Sequence, residues 1–198
     1  MNFKESQTSK NLARAFAGEC QAGARYQFIA KTAENENQAY LKSLMKSLAK
    51  QEMTHAKLFW DLIQKHSKGS TENIEITAGY PYRGGNHCDM LEHSSHNEKS
   101  ENVSIYPSFA SIAEDEGYED VAITFKQVAL VEHEHFITLN ELHDKYKDKS
   151  IYHTPKESEW KCSQCGFSVF DKKAPEICPL CSFPQGSFEF KLTQNKPQ

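Results

Sequence analysis

The sequence has no apolar run approaching the length that spans a bilayer, which argues against a helical membrane protein. Its first ten residues, MNFKESQTSK, are polar, so no secretory leader is expected. There is no basic excess either. The 23 Lys and Arg stand against 27 Asp and Glu, a net charge of −4 with no cationic stripe, and no nucleic-acid interface is expected. Six cysteines are present, Cys20, Cys88, Cys162, Cys165, Cys178 and Cys181. Without a leader, the tight pairing of the last four near the C-terminus points to metal binding in a reducing cytoplasm rather than to disulfides. What remains is 198 residues, 38% hydrophobic and 25% charged, the composition of a soluble globular chain with one mid-sized domain and a small one.

Residues from about 9 to 147 carry the helical period, with inward positions recurring every three or four residues. The first stripe is Leu12, Phe16, Glu19, Gly23, Tyr26, Ala30. The second is Leu41, Leu44, Leu48, Glu52, His55, Phe59, Leu62, and the third is Leu91, Glu98, Glu101, Ile105, Ile112. The fourth is Val121, Phe125, Val128, Glu132, His135, Leu139, Leu142, Tyr146. Asn35-Glu36-Asn37 separates the first two helices, a Gly- and Pro-bearing crossover from Gly69 to His87 separates the next two, and Gly117 ends the third. Pro107 falls inside the third segment and predicts a kink there. An all-α four-helix bundle over 1–147 is expected, then a polar linker over 148–158, then a small Cys-rich domain over 159–198.

Glutamate interrupts every stripe near its middle: Glu19, Glu52, Glu98 with Glu101, and Glu132. Glu52 and Glu132 are each followed three residues on by histidine, His55 and His135. That spacing sets both side chains on one helical face. Buried carboxylates in this number repel unless cations hold them, and oxygen with imidazole donors suits a pair of iron or manganese ions. Farther on, Cys162-Ser-Gln-Cys165 and Cys178-Pro-Leu-Cys181 offer four thiolates for one tetrahedral ion, iron or zinc. Gly166 lets the first knuckle turn through positive φ. Trp160, Phe167, Phe170, Phe183, Phe188 and Phe190 are the expected aromatic core of this module.

These residues resemble the rubrerythrin family over nearly the whole chain. The matching stretches are FAGECQAGARY (16–26), QEMTHAK (51–57), EKSENVSIYP (98–107), IAEDEGY (112–118), VEHEH (131–135), WKCSQCG (160–166) and APEICPLC (174–181). The resemblance implies a ferritin-like bundle with a C-terminal rubredoxin-like domain and three irons per chain, two in the bundle and one on Cys162, Cys165, Cys178 and Cys181, with zinc as a substitute. It implies that Glu52 and Glu132 bridge the two irons. Glu19 would then serve the first iron, and Glu98 and His135 the second, while Glu101 and His55 alternate at the first. Tyr26 and Tyr106 would hydrogen-bond the carboxylates. The implied activity is reduction of hydrogen peroxide to water in a homodimer, with NADH-derived electrons arriving through a reductase or rubredoxin. Ferroxidase or iron storage, O₂ reduction, and a zinc-stapled scaffold without catalysis are the rival functions. Cys20 reads as a small apolar filler beside Glu19. The stretch from His87 through Cys88 and His93 to His96 is rich in donors but has no motif spacing.

Overall fold

The computed structural model describes residues 2–69 and 72–192; the outer limits of the two expected domains, residue 1 and residues 193–198, lie outside the described residues, as do positions 70 and 71 of the crossover. Five helices form the bundle: α1 (Gln7–Asn35), α2 (Ala39–Ser67), α3 (His87–Ser100), α4 (Tyr106–Asp115) and α5 (Glu119–Lys147). The α3 and α4 helices are one interrupted rod, joined through a π turn at Glu101–Ile105, so four rods surround the core as the stripes predict. Among the described residues no helix is long and apolar enough to cross a membrane.

The ends of the rods follow from local chemistry. Ser6 caps α1, its hydroxyl accepting from the Ser9 N–H at 3.0 Å. The next free donors of α1 are met from the far side of the chain. The Glu116 carboxylate accepts from Gln7 N at 2.9 Å, Thr8 N at 2.8 Å and Thr8 Oγ1 at 2.6 Å. Gly117 ends α4 at φ +82°, and the Tyr118 N–H closes back on the Ala113 carbonyl at 2.7 Å. Residues 72–86 cross from α2 to α3 without regular structure. This strap lies along α1, tied by Tyr80 Oη to the Arg14 carbonyl at 2.8 Å, Arg14 Nε to the Thr77 carbonyl at 3.1 Å and Gln21 to the Pro81 carbonyl at 2.5 Å.

In place of the simple kink expected at Pro107 stands the π turn just before it. The Tyr106 N–H bonds the Glu101 carbonyl, five residues back, and Pro107 then sits in the opening turn of α4, where a missing N–H costs little. The extra residue rotates everything after it. Ile105, expected inside, is 37% exposed, and the buried line runs instead through Tyr106, Ala110 and Ala113.

The apolar core comes in two pieces. One contains Leu12, Ala15, Phe59, Tyr106, Val121 and Phe125; the other contains Tyr26, Ile29, Leu41, Met45, Leu91, Leu139 and Leu142. On every rod the mid-stripe glutamate falls between residues of the two pieces.

The segment expected as a linker, 148–158, is structured. Ile151 and Tyr152 are buried, and β1 (His153–Lys161) begins within it. That strand pairs antiparallel with β2 (Ser168–Lys173), Trp160 opposite Val169. Burial of Tyr152 explains why the segment is not loose: its hydroxyl bonds Gln38, and its ring packs on Phe190 at 5.8 Å between centroids. Phe190 also packs on Tyr40 at 5.0 Å and Tyr146 at 5.9 Å, so the small module shares a core with the bundle. At Gly186 an added Cβ would stand 2.1 Å from the Asn37 carbonyl oxygen, a contact only glycine permits. The module's own core is smaller than expected. Trp160, Phe188 and Phe190 are buried, but Phe170 is 71% and Phe183 45% exposed, and neither joins the shared core.

Glu116→Ala should destabilise the chain by roughly 1–2 kcal/mol at neutral pH. Hydrogen bonds from Thr8 and Gln7 hold this carboxyl below its ordinary value despite the opposing effect of burial. A depressed native value contributes stability above the unfolded value, and that contribution is lost as pH falls through the native one. The gap between wild type and variant in urea melts should therefore close in acid; equal midpoints at pH 7 would remove the capping role.

Candidate metal centres

Helical spacing brings four glutamates and two histidines to one level of the bundle. Glu19 comes from α1, Glu52 and His55 from α2, Glu98 from α3, and Glu132 and His135 from α5. Glu52, Glu98 and Glu132 are 0% exposed and Glu19 1%. Their donor atoms form two overlapping groups, Glu19–Glu52–His55–Glu132 and Glu52–Glu98–Glu132–His135, each with all its atoms within 4.8 Å of one another. Glu52 and Glu132 belong to both. His55 Nδ1 lies 2.9 Å from Glu132 and 3.3 Å from Glu19; His135 Nδ1 lies 2.7 Å from Glu132 and 2.9 Å from Glu52.

Proximity here is not hydrogen bonding. Both carboxylate oxygens of Glu52 and of Glu132, one each of Glu19 and Glu98, and Nδ1 of both histidines are buried without a hydrogen bond of good geometry. Native interiors rarely leave so many polar atoms unmet in one place. Oxygen and imidazole donors converging from four helices fit a pair of first-row divalent metals, and the orphaned atoms are the ones such ions would satisfy.

Several atoms that do not face the centre have partners of their own. Tyr26 donates its hydroxyl to Glu98 and Tyr106 to Glu19. His135 Nε2 meets Gln51 Oε1 at 2.9 Å, which leaves Nδ1 free for the interior. The Arg25 guanidinium is buried, 3.8 Å from Glu98. Neither Gln51 nor Arg25 stood out in the sequence; their only signal was adjacency to a stripe residue.

Electrostatics divides the acids. Burial, then the charges of Glu98 and Glu132, push Glu52 up. Burial and Glu132 push Glu98 up to about 8, against the Tyr26 hydrogen bond and Arg25. Burial would also raise Glu132, but the His135 and His55 rings outweigh it and hold that carboxyl at about 2. Burial would lower His55, yet Glu132 and Glu19 push it up to about 10. Burial and the neighbouring carboxylates keep Tyr26 and Tyr106 protonated, as donors.

Glu101, the other third-helix acid, is not in either group. It opens the π turn and is only partly covered. Its carboxyl is pushed up by loss of water, then by Glu98 and Glu19. It faces a cavity of about 620 Å³ between α1, the strap and α3–α4.

The four cysteines also converge, all sulfurs within 4.8 Å of one another. The two knuckles are near copies. Gly166 N bonds the Cys162 carbonyl and Ser182 N the Cys178 carbonyl, both at 2.9 Å, and these turn residues have φ +77° and +61°. The sequence signalled the first turn through glycine; serine concealed the second. Backbone N–H groups point at the sulfurs: Phe167 at Cys165, Phe183 at Cys181, and Leu180 and Cys181 at Cys178. Burial would raise the Cys178 thiol, but these donors and the adjacent thiols hold it at about 7.

The His87–His96 stretch gathers no third group among the described residues. His87 pairs with Glu36, and Cys88 Sγ approaches the His143 carbonyl at 3.9 Å. Cys20 is half-buried rather than core, its thiol raised by burial and by Glu19.

A family model described as "Rubrerythrin" matches residues 10–83 and 89–172, and one described as "Rubrerythrin, rubredoxin-like domain" matches 160–189. A rubrerythrin of Porphyromonas gingivalis is 36% identical over 189 residues, covering 95% of this chain and 92% of its own. Rubrerythrin-1 of Clostridium acetobutylicum is 37% identical over 196 residues, covering 98% of each. Among solved structures, fully reduced nigerythrin aligns at TM-score 0.61 and 23% identity over 96% of this chain and 94% of its own. The Desulfovibrio desulfuricans bacterioferritin aligns at TM-score 0.65 and 20% identity over 74% and 84%. These two likenesses concern the fold, a ferritin-like bundle. Bundle, rubredoxin-like module and relatives agree, and the chain belongs to the rubrerythrin family.

Proposed function

We propose that this chain reduces hydrogen peroxide to water at a di-iron centre, with electrons relayed from a third iron on Cys162, Cys165, Cys178 and Cys181. The observation that carries this is the pair of overlapping donor groups sharing Glu52 and Glu132, on one chain with four gathered thiols. Glu52 and Glu132, common to both groups, would be shared by the two irons; Glu19 and His55 would complete one site, Glu98 and His135 the other. Paired redox metals, when bound there, would supply both electrons that the reduction needs. The balance is H₂O₂ + 2 e⁻ + 2 H⁺ → 2 H₂O.

The protein's part is positioning and protons. Tyr26 and Tyr106 orient Glu98 and Glu19 by donating to their outward oxygens. Gln51 fixes the His135 ring. Glu101, beside the cavity and outside the donor groups, holds a proton where peroxide arrives and delivers it to the departing hydroxyl; it is the alternative to His55 at the first site. The two apolar clusters exclude water above and below the centre. An NADH-linked reductase or a rubredoxin supplies electrons in a reducing cytoplasm, and the working unit is a homodimer.

Iron added to the metal-free chain at a hundredfold excess over its dissociation constant should stabilise it by about 2.7 kcal/mol for each site filled, roughly 5–10 °C in Tm per site for a chain of this size. Glu132→Ala should abolish that share of the shift which comes from the bundle; a variant melting like wild type under both conditions would dismiss the bridging role.

Glu101→Ala should lower peroxide turnover on the order of 10²-fold while leaving iron content near wild type. Intact turnover would reject the proton-delivery role.

Cys162→Ser should leave di-iron assembly unchanged and slow re-reduction of the centre by the physiological donor in stopped flow. An unchanged rate would reject the relay.

A further inference from the structure

The cavity behind the strap is oversized for the substrate just proposed. It holds about 620 Å³, whereas a peroxide molecule needs roughly twice the ~30 Å³ share of a liquid water. Sites of several hundred Å³ are the size that takes an organic molecule. Its inner wall is Glu101, Tyr106 and Arg25. Tyr106 bonds Glu19, and Arg25 lies 3.8 Å from Glu98, so this wall is in direct contact with the donor groups. Its outer wall is the strap's Tyr80, with Phe109 from α4 alongside. Gly18 forms the floor: a Cβ there would meet Tyr80 Cε1 at 3.6 Å and Glu101 Oε1 at 3.8 Å. The missing side chain leaves open the passage between the aromatic outer wall and the acid.

We propose that this cavity binds organic hydroperoxides, R–O–O–H, with the peroxide group at Glu101 and the carbon group between Tyr80 and Phe109. The chain then reduces alkyl and aryl hydroperoxides as well as hydrogen peroxide. This rests on the peroxidase function proposed above and adds its substrate class. The reaction balances as ROOH + 2 e⁻ + 2 H⁺ → ROH + H₂O. The O–O bond breaks, one proton completes water from the distal oxygen, and the second converts the alkoxide to the alcohol. The two electrons are those already required for hydrogen peroxide. Aromatic and apolar walls favour the carbon group because its burial releases water, while the small peroxide end reaches the acid past Gly18.

The test uses the full-length iron-loaded chain, reduced anaerobically and freed of excess reductant. Its reoxidation is followed after mixing with hydrogen peroxide or with cumene hydroperoxide. The alcohol product, 2-phenylpropan-2-ol, is titrated separately into full-length, zinc-loaded, ¹⁵N-labelled protein. Both oxidants should reoxidise the centre, cumene hydroperoxide with a saturating concentration dependence. The alcohol should shift amide signals around Gly18, Tyr80 and Phe109. Ser104, exposed and lining the cavity from the π turn, is the place to fill it. Ser104→Phe should cut the cumene-to-hydrogen-peroxide rate ratio about tenfold and weaken alcohol binding in step. Ser108→Phe, one turn on along the same wall, carries the same test should the first variant misfold. Reoxidation by hydrogen peroxide but not by cumene hydroperoxide would overturn the substrate class and leave the peroxidase function standing. Reoxidation by neither would overturn both. An unchanged rate ratio in both variants, or alcohol shifts elsewhere, would overturn the cavity as the binding site.

Discussion

Everything in this fold answers to four carboxylates at the centre of an apolar bundle. Two such charges some 4–5 Å apart repel by about 4 kcal/mol at an effective dielectric near 20. Four acids make several such pairs, and the sum rivals the roughly 5–15 kcal/mol that keeps a whole domain folded. Leucines at these positions would pack one continuous core; instead the core is divided in two, with Glu19, Glu52, Glu98 and Glu132 between the halves. A bundle that gives up its middle in this way needs positive charge there, as metal or as protons.

The titrating groups of the centre are shifted in opposite directions. Glu132, between two imidazoles, is held well below the usual carboxylate range against the effect of its burial. His55 is drawn toward its charged form by the same contact, while Glu52 and Glu98 are driven toward theirs without charge. Tyr26, Tyr106 and Gln51 bind atoms that point away from the centre, so they fix the donors without competing for the atoms that face it.

The four-cysteine module solves a different problem with similar means. It is too small to bury much surface of its own, and its exposed Phe170 and Phe183 show how little it encloses. Its stability comes from outside, through Phe190 against Tyr40, Tyr146 and Tyr152, and from inside, where backbone N–H groups are directed at the gathered sulfurs. Gly186 against Asn37 sets the closeness of that docking. The chain from Asp148 to Ser158 is polar in sequence and looks like a tether, but two residues in it, Ile151 and Tyr152, decide otherwise by joining the shared core.

What the sequence discloses and what it withholds differ by mechanism. Periodicity discloses the rods and their inward glutamates, because a period of 3.6 leaves no other face for Leu12, Glu19 and Tyr26 together, or for Val128, Glu132 and Leu139. The paired Cys-x-x-Cys spacing discloses the second centre because backbone turns of that length bring two sulfurs together with few alternatives. Periodicity fails just where its own assumption fails. After Glu101 one turn takes an extra residue, so Ile105 leaves the core, and Tyr106 takes its place against Glu19. No single-residue preference marks a π turn, but Pro107 is a trace of it: a proline in mid-rod requires a break in the ladder just before it, and a π turn supplies that break while keeping the rod continuous. Ser104, inside that turn, and Ser108, one turn on, both line the cavity beside Glu101, so the break in the ladder and the cavity share one wall.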